Sequence, residues 1–348
     1  MDSRSFDPIR FPFEHPPDEG CCTEIADGVL WIRLPLPMAL DHVNVYALRD
    51  GCGWTLVDTG ILSRRGIGIW ESLLRGPLEG KSLNVIATHH HPDHVGMAGW
   101  FQANRGSGLT ATRTSWLYAR MLTLDVQEAW PSETLAFYRK AGMAPRILKR
   151  RLSSRPYNFA DSVHPMPLGF RRIRDGDVLD IGGRRWRVVV GDGHSPEQAT
   201  LWSEDDGLVI AGDQVLPGIS PNLGVYPTEP DADPVGEWLE SCEKFARLAR
   251  EDQLVLPGHK LPFTGLPARL NQLIEHHHLA LGRLLTHLSE PSTAHDCFRP
   301  LYMRDIGDGE YGLALVEAVA HLNHLFQAGR IRRQERSPDG AWVWTRVD

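Results

Sequence analysis

Cysteine is scarce in this chain, and what there is does not suggest pairing. The five residues, Cys21, Cys22, Cys52, Cys242 and Cys297, are odd in number and include no CxxC spacing. That pattern argues against a disulfide framework or a structural zinc knuckle and leaves ordinary thiols. Long apolar runs are also missing. None approaches the ~20 residues that span a bilayer, so no membrane-spanning segment is expected. The opening segment MDSRSFDPIRFPFEHPPDEG is polar and proline-rich. It lacks the apolar stretch of a secretory leader, which points to the cytoplasm. Nor is there an excess of positive charge: the formal net charge is -7, which gives no overall attraction to nucleic acid or to an anionic membrane. No internal repeat or low-complexity tract is visible. What remains is an ordinary globular composition, 42% hydrophobic and 23% charged over 348 residues, enough for one large domain or two moderate ones.

Short runs rich in Val, Leu, Ile and Trp, bounded by Gly, Asp or Pro, predict strands at 28–34, 43–48, 54–57, 83–87, 177–181, 186–190, 199–202, 208–211 and 253–256. Helical spacing of apolar residues appears at 66–74, 94–102, 115–141 and 234–248. The stretch 145–174 carries eight basic residues against the single acid Asp161. It reads either as a solvated face or as a rim that attracts an anionic substrate. From about residue 270 the pattern changes to three helices (271–288, 294–303, 311–328) and a hairpin over 331–347 that turns at Ser337-Pro338-Asp339-Gly340. That is the order of a winged helix. The tail holds eight basic residues against ten acidic ones, which disfavours DNA phosphates, although Arg330, Arg332, Arg333 and Arg336 cluster at the hairpin. A packing or dimerisation role is the expectation.

The segment with most chemistry is Thr88-His89-His90-His91-Pro92-Asp93-His94. It follows an apolar strand and precedes a helix, where α/β architectures place their sites. Imidazole and carboxylate are the usual ligands of zinc and similar divalent metals. His89 and His91 point the same way in extended chain, and alternation turns His90 away from them. Three further groups each follow an apolar strand beside glycine: His194 in Gly193-His194-Ser195, Asp213 in Gly212-Asp213 and His259 in Gly258-His259. Glycine allows the sharp turn that presents each side chain at a strand end.

At these residues the chain resembles the metallo-β-lactamase superfamily. The HxHxDH segment, the GHS turn, the GD and the PGH follow in that order, and Asp58 in Leu56-Val57-Asp58-Thr59-Gly60 matches that superfamily's first motif. The resemblance covers roughly residues 23–265 and looks towards the broad hydrolase branch that includes glyoxalase II-like thioesterases and lactonases, rather than a β-lactamase proper. It implies an α+β fold, an αββα sandwich over residues 1–270 with a helical, basic insertion at about 115–175, followed by the winged-helix-like domain at 271–348. It implies that His89, His91 and His194 hold one ion, that Asp93, His94 and His259 hold another, that Asp213 bridges them, and that Asp58 orients the site from behind. Lys260 stands where the family often has glycine. The implied cofactors are two divalent ions, Zn2+ first, with Mn2+ or Fe2+ as alternatives. Two such ions lower the pKa of a shared water, giving hydroxide at neutral pH, and Asp93 is placed to carry the proton to the leaving group. Ser195 is read as shaping its turn rather than as a nucleophile.

The leading expectation is a hydrolase of a thioester, ester or lactone carbonyl acting on a small, anionic substrate such as an acyl-CoA or glutathione thioester. The alternatives are an endoribonuclease or phosphodiesterase with the same two metals, a mononuclear iron persulfide dioxygenase, or a non-catalytic binding module. Asn222 and Tyr226, soon after Asp213, are candidate substrate contacts. His276-His277-His278 cannot converge on one metal, because consecutive helical residues point about 100° apart. His321 and His324 lack a third ligand in view and read as a helix surface or interface.

Overall fold

The computed structural model describes residues 8–80 and 82–347, which divide into two compact units. The first comprises Met1–Val126, Asn158–Pro221 and Phe245–Leu270; the second comprises Gln127–Tyr157, Asn222–Lys244 and Asn271–Asp348.

The first unit is an αββα sandwich. Its larger sheet runs in order through β1 (Cys22–Ala26), β2 (Val29–Pro35), β3 (His42–Asp50), β4 (Gly53–Val57), β5 (Leu83–Ile86), β6 (Gly108–Ala111) and β7 (Arg171–Arg172). The first four strands are antiparallel, and β4 to β7 are parallel. Five strands form the second sheet: β8 (Val178–Ile181), β9 (Arg184–Gly191), β10 (Gln198–Ser203), β11 (Leu208–Gly212) and β12 (Leu254–Pro257).

Period-2 alternation explains the layers. In β2, Val29 and Trp31 face the second sheet and pack with Trp186, Val188, Leu201 and Ile210. Leu30, Ile32 and Leu34 face the other way, against a layer that includes Trp70, Leu73 and Phe101. Both faces are buried, so the strand reads as continuously apolar. Trp70 and Leu73 come from the helix Arg64–Leu74, capped by the Ser63 side chain on Gly66 N. Beyond the second sheet, Phe245 closes on Trp202 with ring centroids 5.7 Å apart.

Strand direction positions the site. β4 and β5 are parallel. β9 and β11 are both antiparallel to β10, and β12 is parallel to β11. The carboxyl ends of β9, β11 and β12 therefore share one edge, and each sheet delivers its polar turns from strand ends.

The second unit contains the helices Ser132–Lys140, Pro145–Leu152, Phe298–Tyr302 and Tyr311–Gln327 and the antiparallel hairpin of β13 (Ile331–Glu335) and β14 (Trp342–Arg346). The single helical run expected over 115–141 is two helices, Arg113–Leu124 and Ser132–Lys140. Pro131 accounts for the break, since it disfavours helical backbone at the residue before it. Pro145 opens its helix at a first-turn position, where its missing N–H costs nothing. The long helix expected over 271–288 begins earlier than periodicity suggests, spanning Leu266–His287. No helix among the described residues is long and apolar enough to cross a membrane.

Candidate metal centre

Seven side chains from four strand-end segments come together in the first unit. His89, His91 and His194 form one donor group; Asp93, His94, Asp213 and His259 form another. Within each group the ligand atoms lie within 4.8 Å of one another. In the first group His91 Nδ1 is 3.0 Å from His89 Nε2 and 3.0 Å from His194 Nε2. Nitrogens bound tetrahedrally to one ion at about 2.0–2.1 Å sit about 3.3 Å apart, so these two spacings are already close to what a divalent cation requires. In the second group Asp213 Oδ2 is 3.2 Å from His259 Nε2 and Asp93 Oδ2 is 3.4 Å from the same nitrogen. Asp213 divides its oxygens: Oδ1 is 3.4 Å from His94 Nε2, and Oδ2 is 3.5 Å from His194 Nε2 in the first group.

Two observations test whether a cation fits. His94 Nε2 and Asp213 Oδ1 are buried and have no hydrogen-bond partner among the described residues, a costly arrangement unless something else satisfies them. The backbone also leaves room: a Cβ on Gly258 would run into Asp213 Oδ1 and the His94 ring. The donor set of imidazoles and carboxylates is that of zinc and its neighbours.

Contacts behind the ligands orient them. Asp58, buried and in the left-handed region at φ 67°, accepts from Thr88 N, Thr88 Oγ1 and His94 Nδ1, each at 2.8 Å. Thr88 Oγ1 gives its proton to Asp58, so it accepts from His89 Nδ1, 3.0 Å away. One carboxylate thus turns the Nε2 lone pairs of His94 and His89 inward, one ligand in each group. His259 Nδ1 donates to the His42 carbonyl at 2.7 Å, which fixes its Nε2 in the same sense. Gly212 precedes Asp213 at φ 51° and Gly193 precedes His194 at φ 99°, turns that side chains rarely allow.

The electrostatics separate the two groups. Burial, then the neighbouring imidazoles, hold His89 and His91 well below the ordinary histidine value, neutral with lone pairs available. Burial pushes His94 the same way, but the Asp213, Asp93 and Asp58 carboxylates outweigh it and raise it well above that value. His259 is likewise raised to about 10, burial being overcome by Asp213 and Asp93. Asp213 is held well below the carboxylate range: His259 and His94 overcome the effect of burial. Without metal, the second group carries protons where a divalent cation would sit.

Residues 38–259 match the family described as "Metallo-beta-lactamase superfamily", and residues 281–347 match "Metallo-beta-lactamase-like, C-terminal domain". This chain belongs to the metallo-β-lactamase superfamily. It is a metal-dependent hydrolase whose His/Asp groups are able to hold divalent metal ions. A solved structure of a "Beta-lactamase domain protein" from Burkholderia ambifaria is 35% identical, superposes with a TM-score of 0.90, and covers 97% of this chain and 98% of its own. A Bacillus subtilis protein named "Probable metallo-hydrolase YqjP" is 24% identical over 310 residues, 86% of this chain and 92% of that protein. A human protein named "Acyl-coenzyme A thioesterase MBLAC2" is 22% identical over 256 residues, 68% of this chain and 79% of that one.

Sequence reasoning missed the support that this superfamily member draws from β3. His42, Asn44 and Tyr46 alternate onto one face. Asn44 Nδ2 donates to Pro257 O (3.0 Å) and Lys260 O (2.7 Å), Tyr46 Oη donates to Pro257 O (2.8 Å), and Lys260 N donates to His42 Nε2 (2.9 Å). The loop carrying His259 is braced on both sides. A polar Asn set between Val43 and Val45 in an apolar run was the available signal. Asn222 and Tyr226 belong to the second unit. There Asn222 Nδ2 donates to Glu317 at 2.9 Å, and Tyr226 is 44% exposed. His321 is not a surface residue: its ring stacks on His277, both buried, with Nδ1 of His277 and Nε2 of His321 3.1 Å apart. In the basic stretch, Arg146 and Arg150 converge on Asp308, and Arg151 lies 4.3 Å over the Tyr138 ring.

Proposed function

We propose that this enzyme hydrolyses a thioester, or a related ester or lactone, with two zinc ions, His89, His91 and His194 holding one, Asp93, His94 and His259 the other, and Asp213 between them. The observation that carries this reading is the divided Asp213 carboxylate, one oxygen towards His94 and the other 3.2 Å from His259 and 3.5 Å from His194. When bound, the ions supply Lewis acidity and bring the pKa of water at the site towards neutrality. Asp58 and Thr88 keep two imidazole lone pairs aimed at that position. Asp93, partly exposed while Asp213 is buried, receives the proton of the attacking water and returns it to the leaving thiol or alcohol. The thioesterase name of the human relative supports a carbonyl substrate. The formal net charge of -7 weakens the nuclease alternative. Completeness of both donor groups weighs against a single-iron dioxygenase. All five cysteines are free thiols, which supports the cytoplasmic placement.

The test is a substrate panel on metal-stripped and zinc-reloaded protein: a short and a long acyl-CoA, a glutathione thioester, an acyl-homoserine lactone, single-stranded RNA and a persulfide. Release of thiol or opening of the lactone, restored by zinc and lost on chelation, is the expected result. Cleavage of RNA alone, or oxygen consumption with the persulfide, overturns the proposal.

A further inference from the structure

His90 stands between two metal-facing histidines and is not one of them. Its ring is buried between aromatic neighbours, 5.2 Å from the Tyr118 ring and 6.4 Å from Phe159 in a stacked arrangement. Its Nδ1 lies 2.8 Å from Ser195 Oγ. Ser195 directly follows His194, the third member of the three-histidine group. The hydrogen bond therefore joins the two segments that supply that group: one carries His89 and His91, the other His194. A backbone hydrogen bond from Ala199 N to Thr88 O, 2.8 Å, ties the same segments where they leave their strands.

A serine beside a histidine also has the form of a nucleophile and its base. Burial argues against that role. Ser195 is 1% exposed, so its oxygen meets no substrate. Packing alone would be served equally well by phenylalanine at 90, since the ring sits among aromatic rings. What only a ring nitrogen supplies is the bond to Ser195.

We infer that the His90–Ser195 pair is a latch that sets the spacing of His91 and His194 and so tunes the affinity of the three-histidine group. His90 and Ser195 are positioning residues, and the inference rests on the two-ion reading proposed above. The latch does not touch Asp93, His94, Asp213 or His259, so it acts on one ion and spares the other.

The experiment is competitive titration of metal-stripped, full-length protein with Co2+ against a chromophoric chelator, following the cobalt absorption bands. His89→Ala marks which ion belongs to the three-histidine group. His90→Phe and Ser195→Ala are each expected to weaken that ion about 10- to 100-fold and to leave the second unchanged. The double variant should lose no more than the worse single, because both remove one shared interaction. His90→Asn and Ser195→Thr, which keep a hydrogen-bonding group, should restore affinity to within about threefold of wild type. Unchanged affinity in folded His90→Phe, equal weakening of both ions, or additive losses overturn the latch while leaving the two-ion reading intact. Wild-type protein that takes up no cobalt overturns the two-ion reading and the latch with it. If wild type takes up one ion and His89→Ala does not affect it, both are likewise overturned; if His89→Ala abolishes it, the same variants decide the latch on that ion.

Discussion

Replacing Asp58 by asparagine should weaken both ions at once, though Asp58 is a member of neither donor group. Asparagine has the same shape and tolerates the φ of 67° that Asp58 adopts, so the backbone has no reason to move. The chemistry of one side-chain atom changes. The carboxylate accepts three hydrogen bonds, from Thr88 N, Thr88 Oγ1 and His94 Nδ1. The amide can keep the first through its oxygen, but its NH2 then faces two donors. His94 relieves the conflict by moving its proton to Nε2, the atom aimed at Asp213. Thr88 relieves it by turning its hydroxyl towards His89 Nδ1, which shifts the His89 proton inward as well. Loss of such an orienting contact costs about 10- to 100-fold in metal affinity, or about 1.4–2.8 kcal/mol per ion. The assay is competition for zinc against a chromophoric chelator, with circular dichroism to confirm folding. Asp58→Ala is the contrast: it strands three buried donors at about 1–3 kcal/mol each and should lower the melting temperature as well. Retention of both ions at wild-type affinity in Asp58→Asn refutes the orienting role. Weakening of the His94 group alone refutes the relay through Thr88.

Four other outcomes are expected. Asp213→Ala should lose most activity, at least about 100-fold, and retain its second ion poorly while far-ultraviolet circular dichroism stays unchanged; wild-type turnover of the true substrate would show that Asp213 does not bridge. Gly258→Ala places a methyl group against Asp213 Oδ1 and the His94 ring, and should weaken metal retention at least about tenfold in the same competition assay, with no loss if the loop yields freely. Metal uptake at pH 7 should release about two protons per chain from the ligands, from His94, raised well above its ordinary value, and His259, raised to about 10, and none from His89 or His91, with up to about one more from the bound water; calorimetry in buffers of different ionisation enthalpy counts them. Because both pKa values rise on folding, their contribution to the stability of metal-free protein is complete below about 6.5. It should fade as pH rises through about 10 for His259, and metal loading should flatten that dependence in thermal melts; a pH-independent metal-free melt contradicts the assignment.

The ligand-type residues were legible because each stands at the end of an apolar strand beside a turn, a pattern local enough to read without knowing the fold. The structure brings all seven together. Their support was not legible. Asn44 acts on the carbonyl of Pro257, 213 residues away, and nothing in β3 says which loop its alternate face will meet. The contact of His277 with His321, read in the sequence as a helix surface or interface, was not legible because their stacking depends on pairing across 44 residues. The insertion looked continuous because helical periodicity bridged Pro131, whereas the chain passes from the first unit into the second at Val126–Gln127 and returns at Asn158. The positive stretch read either as a solvated face or as an anion-attracting rim, and the Asp308 that engages Arg146 and Arg150 was not legible because it lies more than 150 residues further on.

The measurement that bears most directly on the two-ion hydrolase is elemental analysis of protein purified without added metal, beside His89→Ala and Asp213→Ala treated identically. Close to two zinc ions per wild-type chain, with each variant retaining fewer, is the result expected from two donor groups sharing one carboxylate. A single iron per chain, or a metal content that neither substitution changes, would contradict it.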